Sequence, residues 1–223
     1  MNKEEPGGLE FFDVDHTITR SSTAISYLML LVRNKLIPAT ILMSVPYAYL
    51  NYKYGKMDEK HFNRKIPEFI GIEKKLLEKI SVENFERYIK KSIYPGAENY
   101  IRKLKDSGKS IIFASSSMEI ILRPLLEYLG ADDLIATRVD FRDGVCTGSF
   151  VDTPVFKTEK RRKVIEYIKN RNVTLENSSF YSDSIHDLPL LEEVGRPVAA
   201  NPDIRLRIVA KRRGWEIMDF KKL

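Results

Sequence analysis

The sequence predicts an α/β fold in which a parallel-sheet core carries an inserted helical cap. Three observations predict it. Short apolar runs at Leu9-Glu10-Phe11-Phe12, Ser110-Ile111-Ile112-Phe113-Ala114 and Ser178-Ser179-Phe180-Tyr181 each lead into oxygen-bearing side chains. Helical patterns lie between the later runs, and strand–helix alternation implies crossover units with parallel strands. Residues 21–92 break that alternation with several helical patterns in succession, as an insertion would.

Taken in order, Leu9 to Phe12 is a strand that delivers Asp13 to its carboxyl end. Ala24 to Val32 and Leu36 to Leu50 follow as two apolar blocks, separated by Arg33-Asn34-Lys35 and interrupted by Pro38 and Pro46. Neither reaches the roughly 20 apolar residues that a membrane-spanning helix needs. Two uses stay open: helices packing on the core and shaping a pocket, or an apolar face with Tyr47, Tyr49, Tyr52 and Tyr54 resting on a membrane surface. Packing is preferred, because aromatic stripes are usually core. Tyr94-Pro95-Gly96 punctuates the return, which puts the core at residues 1–20 and 93–223 and the cap at 21–92. Ala97 to Asp106 (closing at Gly108), Met118 to Leu129 (closing at Gly130) and Lys160 to Asn170 have apolar residues three and four apart and read as helices. Asp140 to Phe150 reads as a hairpin turning at Asp143-Gly144. Arg196 to Ala200 and Trp215 to Ile217 supply two further short strands.

With 223 residues, 43% hydrophobic and 30% charged, the chain has an ordinary globular composition that excludes disordered and fibrous classes. Its start lacks a signal-peptide pattern, and a single cysteine, Cys146, fits a reducing compartment, so a cytoplasmic location is expected. The net charge of +6 is concentrated: residues 21–92 hold 13 Lys/Arg against 7 Asp/Glu, leaving 24 against 24 elsewhere. Such a field suits an anionic partner or a plain solvated face. Without interleaved aromatics or a recognisable module it does not imply nucleic-acid binding. The sequence fixes no oligomeric state.

The sharpest chemical signal is Asp13-Val14-Asp15-His16-Thr17, two carboxylates two residues apart at a strand end. One carboxylate can attack a phosphoryl group while the other protonates the leaving oxygen and later activates water. Tyr181-Ser182-Asp183-Ser184-Ile185-His186-Asp187 adds two more. Four carboxylates at strand ends repel one another unless a cation is present, and hard oxygen ligands point to Mg²⁺. Asp187 also reads as a helix-start charge. Ser115-Ser116-Ser117 follows a strand and precedes a helix, where it would either hold phosphoryl oxygens or cap the helix. Lys160 opens a helix and could neutralise a transferring phosphoryl group, with Lys157 and Lys163 near enough to compete for that role. Arg64 and Lys65 are candidates to meet a substrate anion, and His16 could act on the substrate or be an idle loop residue.

The ordered set resembles the haloacid dehalogenase superfamily, whose four motifs match Asp13/Asp15/Thr17, Ser115, Lys160 and Asp183/Asp187. The early cap and the stretch Tyr181 to Leu191 are similar to the phosphoserine phosphatase-like subgroup. The resemblance implies a Rossmann-like core and an Mg²⁺-dependent phosphatase acting on a small phosphorylated substrate, with Asp13 as nucleophile and Asp15 as acid/base. Ser115, Ser116 and Lys160 would bind the phosphoryl group. The metal would be held by Asp13, the Asp15 carbonyl and Asp183, with Asp187 ligating directly or through water. A phosphotransferase or mutase using the same intermediate, or a membrane-associated lipid phosphate phosphatase, is the alternative. Two departures bear on substrate: the stretch Arg20-Ser21-Ser22-Thr23-Ala24 lacks the glutamate with which phosphoserine phosphatases meet the substrate amine, and Ser115-Ser116-Ser117 stands where they typically have Ser-Gly-Gly.

Overall fold

Strand β1 (Glu10–Phe12) lies at the centre of the sheet because its residues can be buried on both faces. It pairs in parallel with β2 (Ile111–Met118) on one side and β6 (Ser179–Ser182) on the other. Beyond β2 lies β3 (Asp133–Thr137), and beyond β6 lie β7 (Arg196–Ala200) and β8 (Glu216–Met218), giving the all-parallel order β3-β2-β1-β6-β7-β8. Alternation along each strand splits the core in two. Phe11, Ile112 and Phe180 enter one apolar cluster, while Phe12, Phe113 and Tyr181 enter the other. Phe12 stacks on Tyr181 with ring centroids 4.1 Å apart, and the Tyr181 hydroxyl donates to buried Glu10 at 2.9 Å. The computed structural model of the chain describes residues 7–44, 46–47 and 65–222, so Tyr49, Tyr52, Tyr54 and Arg64 lie outside the described residues.

The main helices among the described residues are α1 (Thr23–Arg33), α2 (Lys74–Asn84), α3 (Pro95–Asp106), α4 (Glu119–Leu129), α5 (Thr158–Ile168), α6 (Leu188–Leu191) and α7 (Ile204–Arg213). The apolar block after Ala24 is α1; Tyr27, Leu30 and Leu31 are buried in the cluster that holds Phe12, and the Tyr27 hydroxyl donates to the Leu77 carbonyl at 2.9 Å. Met43 and Tyr47 are exposed. No helix among the described residues is long and apolar enough to cross a membrane.

Two sets of backbone bonds tie residues 21–92 to the rest. At their root, Arg20 N–H donates to Ser92 O (2.7 Å) and Tyr94 N–H to Ile18 O (2.9 Å), so the outgoing and returning chains run side by side. Farther out, β4 (Val139–Arg142) and β5 (Val145–Phe150) form the expected hairpin, with Asp143 and Gly144 at positive φ. Segment 66–74 lies along β5: Ile66 N–H donates to Gly148 O (2.9 Å), Gly71 N–H to Cys146 O (3.0 Å), Cys146 N–H to Ile72 O (2.9 Å) and Lys74 N–H to Gly144 O (2.8 Å). A Cβ on Gly148 would sit 2.4 Å from the Ile70 side chain at φ +72°, so this close approach requires glycine.

A third tie is made by side chains. Pro124 lies inside α4 and has no N–H to offer the Ile120 carbonyl one turn back. Ser81 of α2 donates its hydroxyl to that carbonyl at 2.5 Å. From Phe85 to Ile89 the helix passes through a π turn, where Phe85 packs on Tyr128 of α4 at 5.4 Å.

Candidate active site

The carboxyl ends of β1, β2 and β6 meet at one place, as ligand sites of open parallel sheets do. After β1 the chain curls tightly: Ile18 and Thr19 N–H both donate to Val14 O (2.8 and 3.1 Å), and His16 takes φ +65°. The curl turns Asp13 and Asp15 towards a single cavity of about 410 Å³. Lys160, three residues into α5 and buried, places Nζ 2.9 Å from Asp13 and 2.8 Å from Asp187. Asp187, the last residue of a 3₁₀ turn after β6, also accepts from the Ser182 hydroxyl at 2.7 Å. Asp183 is joined to Asp13 through Thr17, whose Oγ1 donates within 3.3 Å of Asp13 and 3.2 Å of Asp183 while accepting from Asp183 N–H at 2.9 Å.

Asp15 is held differently. Its two carboxylate oxygens accept from Thr23 N–H (2.8 Å) and the Ser117 hydroxyl (2.7 Å). Thr23 Oγ1 donates in turn to Ser117 Oγ (3.1 Å), and Asn84, buried at the end of α2, donates to the Thr23 carbonyl (3.2 Å). A relay of hydrogen bonds therefore runs from α2 through the start of α1 to Asp15.

Charge in the site is unbalanced. Burial pushes the Asp13 carboxyl up to about 7; Lys160 opposes the rise, and the Asp187 and Asp15 charges add to it. Asp183 is raised too, by burial first and then by the charge of Asp13. Burial would lower Lys160, but the Asp13 and Asp187 carboxylates outweigh it and hold the ammonium above its ordinary range. Two buried carboxylates on Lys160, with part-buried Asp183 linked to Asp13 through Thr17, leave an excess of negative charge, and their hard oxygens fit a divalent cation. Among the described residues no three such side chains already stand together as a metal cluster. Each Asp15 oxygen accepts one hydrogen bond, and Asp187 is drawn to Lys160.

Of the residues expected at the site, Asp13, Asp15, Ser116, Lys160 and Asp187 line the cavity. Ser115 is buried just beneath, its Oγ accepting from Ser117 N–H at 3.2 Å. The serines do not cap a helix as one reading allowed. β2 continues through them to Met118, with a register shift after Ala114, and Met118 precedes α4 without a side-chain cap. Contacts hold this stretch extended: Thr137 Oγ1 donates to Ser116 O (2.9 Å), and Ser117 reaches Asp15. Of the competing lysines, Lys157 lies over the Phe156 ring and Lys163 pairs with Asp152 at 2.6 Å. Lys65 is exposed and does not line the cavity, whereas His16 does. Sequence reasoning missed the Ser117 contact with Asp15 and any role for Thr23, Ser182 and Asn201, whose Nδ2 donates to Thr17 O at 3.0 Å. Only the replacement of glycine by Ser117 carried a readable signal.

Such a site, buried aspartates and a lysine at the strand ends of a parallel α/β sheet, defines a hydrolase class built for an anionic group. Residues 11–192 match the haloacid dehalogenase-like hydrolases. The chain belongs to that family and stands among its phosphatases. It is 30% identical over 220 residues to a histidinol-phosphatase of Neisseria meningitidis, covering 96% of this chain and 99% of the relative. It is 29% identical over 216 residues to a phosphoserine phosphatase of Mycobacterium tuberculosis, covering 95% and 70%. A crystal structure of a Bordetella pertussis protein of unknown function superposes with a TM-score of 0.83 at 27% identity, over 96% of this chain and 99% of that one.

Proposed function

We propose that this phosphatase is an Mg²⁺-dependent phosphomonoester hydrolase acting on a small phosphorylated metabolite through a phospho-aspartate on Asp13, in the cytoplasm, with residues 21–92 as a cap over a core of residues 1–20 and 93–223. The observation that carries it is the pairing of a buried Asp13, 2.9 Å from Lys160 Nζ, with an Asp15 aimed into the same cavity by two hydrogen bonds. An Asp13 oxygen attacks phosphorus, the bond to the ester oxygen breaks, and Asp15 gives that oxygen a proton. Water then attacks the acyl phosphate, Asp15 takes its proton, and phosphate leaves. Lys160, Ser116 and Ser115 hold the phosphoryl oxygens; the Ser115 hydroxyl accepts from Ser117 and keeps its own proton to donate. Asp13, Asp183 and the Asp15 carbonyl would hold Mg²⁺, with Asp187 reaching it through water; when bound it neutralises charge on the nucleophile and the phosphoryl group.

Asp13→Asn tests this. It should abolish Mg²⁺-dependent phosphate release while leaving the circular dichroism spectrum intact; turnover at the wild-type rate in a clean preparation would remove the proposal.

A further inference from the structure

Asn84 is fully buried at the end of α2, where Ile80, one turn back, and the adjoining Phe85 are buried as well. An apolar side chain of similar volume would fill such a place without the cost of desolvating an amide. The amide nitrogen faces the Thr23 carbonyl at 3.2 Å, yet that carbonyl already has a donor within its own helix, the Ser26 hydroxyl at 3.2 Å. Satisfying Thr23 O therefore does not require Asn84. What the asparagine adds is reach. The Ser26 bond spans three residues of α1, whereas the Asn84 bond spans 61 and pins the first turn of α1 to another helix. Ser81, on the same face of α2, pins that helix to α4 in turn. Directly after Asn84 the helix widens into the π turn Phe85–Ile89, and Asn84 and Ile89 are buried on either side of it. Single π turns within α-helices recur at functional sites.

The pinned residue is the one that holds the proton donor. Thr23 N–H donates to one Asp15 oxygen at 2.8 Å, and Thr23 Oγ1 donates to Ser117 Oγ, which donates to the other Asp15 oxygen at 2.7 Å. Asp15, Thr23 and Ser117 thus close a ring of three hydrogen bonds, and Asn84 tethers that ring to α2. Beyond Thr23, α1 carries Ile25 and Leu28 into the cavity wall, so a substrate pressing on an untethered α1 would shift the ring with it. A proton donor displaced by a fraction of an ångström slows the breaking of the ester bond, while Asp13 and Lys160, carried by β1 and α5, keep their places. Resting on the phosphatase reading above, we infer that Asn84 is a positioning residue for proton transfer: it fixes Thr23 and, through it, the orientation of Asp15 towards the leaving oxygen.

The experiment measures kcat/KM, with Mg²⁺, for dinitrophenyl, nitrophenyl, phenyl and ethyl phosphate in the wild type, in Asn84→Leu, which matches the side-chain volume, and in Asn84→Ala, which adds no bulk. Dinitrophenolate departs without a proton, and ethoxide does not. Asn84→Leu should lower kcat/KM for ethyl phosphate about threefold to tenfold, the worth of one neutral hydrogen bond, and for dinitrophenyl phosphate less than about twofold. The dependence on leaving-group basicity therefore steepens, and Asn84→Ala should steepen it too. An equal loss on every ester, no loss on any, or unfolding of both variants by circular dichroism overturns the inference and leaves the reaction standing. No phosphate release from any ester by the wild type overturns the reaction and the inference together.

Discussion

Replacing Ser117 by alanine removes one of the two donors that hold Asp15, the 2.7 Å hydroxyl bond, and leaves Thr23 Oγ1 without its acceptor. In the proposed first step Asp15 gives up a proton and becomes a carboxylate, so the Ser117 bond strengthens as the transition state forms. Hydrogen bonds to charged groups are worth about 1.5–3 kcal/mol, and Thr23 N–H still holds the other oxygen at 2.8 Å. Taking the lower end of that range, kcat/KM for an alkyl phosphate should fall about tenfold. Dinitrophenyl phosphate needs no proton on its leaving oxygen, so its kcat/KM, which reports steps only as far as phospho-aspartate formation, should fall less than about threefold. Ser117→Thr, which restores the hydroxyl, should recover most of the loss. The assay is initial-rate phosphate or phenolate release for both esters with the three proteins. An equal loss on both esters would refute the reasoning, since it would mean that Ser117 supports the fold of the site and not the proton donor.

Three further outcomes are expected. Asp13, pushed up from an ordinary 3.8 to about 7 by burial, keeps in the folded chain a proton that the unfolded chain has lost, so stability is present at acid pH and is lost as pH rises through about 7. Asp183 shifts in the same direction. In chelator, Tm should therefore fall between about pH 5 and about pH 8, and millimolar Mg²⁺ should restore it at the higher pH; a rising Tm in chelator would contradict the burial of these acids. Ser81→Ala should lower stability by about 1–2 kcal/mol in urea titrations, because the Ile120 carbonyl loses its donor. In a Pro124→Ala background, where the helix supplies an N–H to that carbonyl, the same substitution should cost less than half as much, and equal costs in both backgrounds would break the link between the two residues.

The central strands were legible because burial on both faces leaves a short apolar run, and Asp13 because a carboxylate directly after Phe11-Phe12 has no surface to occupy. β3 was missed: Asp133-Leu134-Ile135-Ala136-Thr137 begins acidic straight after a helix and has only a short apolar centre. Helix starts were read two residues late at Pro95 and Thr158, since a first turn carries little periodicity. At the site, the four aspartates and Lys160 stood out by type and spacing. The residues that hold them did not. Thr23 acts on Asp15 through a backbone N–H, which any residue would supply, and Ser117 lies 102 positions away in sequence. The Asn84 contact with Thr23 arises only when α2 folds back on α1.

The side-by-side strands at Ile18–Arg20 and Ser92–Tyr94 bring both ends of a 70-residue excursion together, a layout that invites exchange of the whole segment between related enzymes as a cassette. The bond from Thr23 to Asp15 sets a limit on that exchange. A donor cassette spanning residues 21–92 brings its own residues at positions 23 and 84, and so resets the hydrogen bonds that hold Asp15 along with the pocket wall. Chimaeras that begin after Thr23 and keep Asn84 would swap the wall alone. New specificity in this lineage is thus constrained to arise without disturbing two small polar residues at the two edges of the transplanted piece.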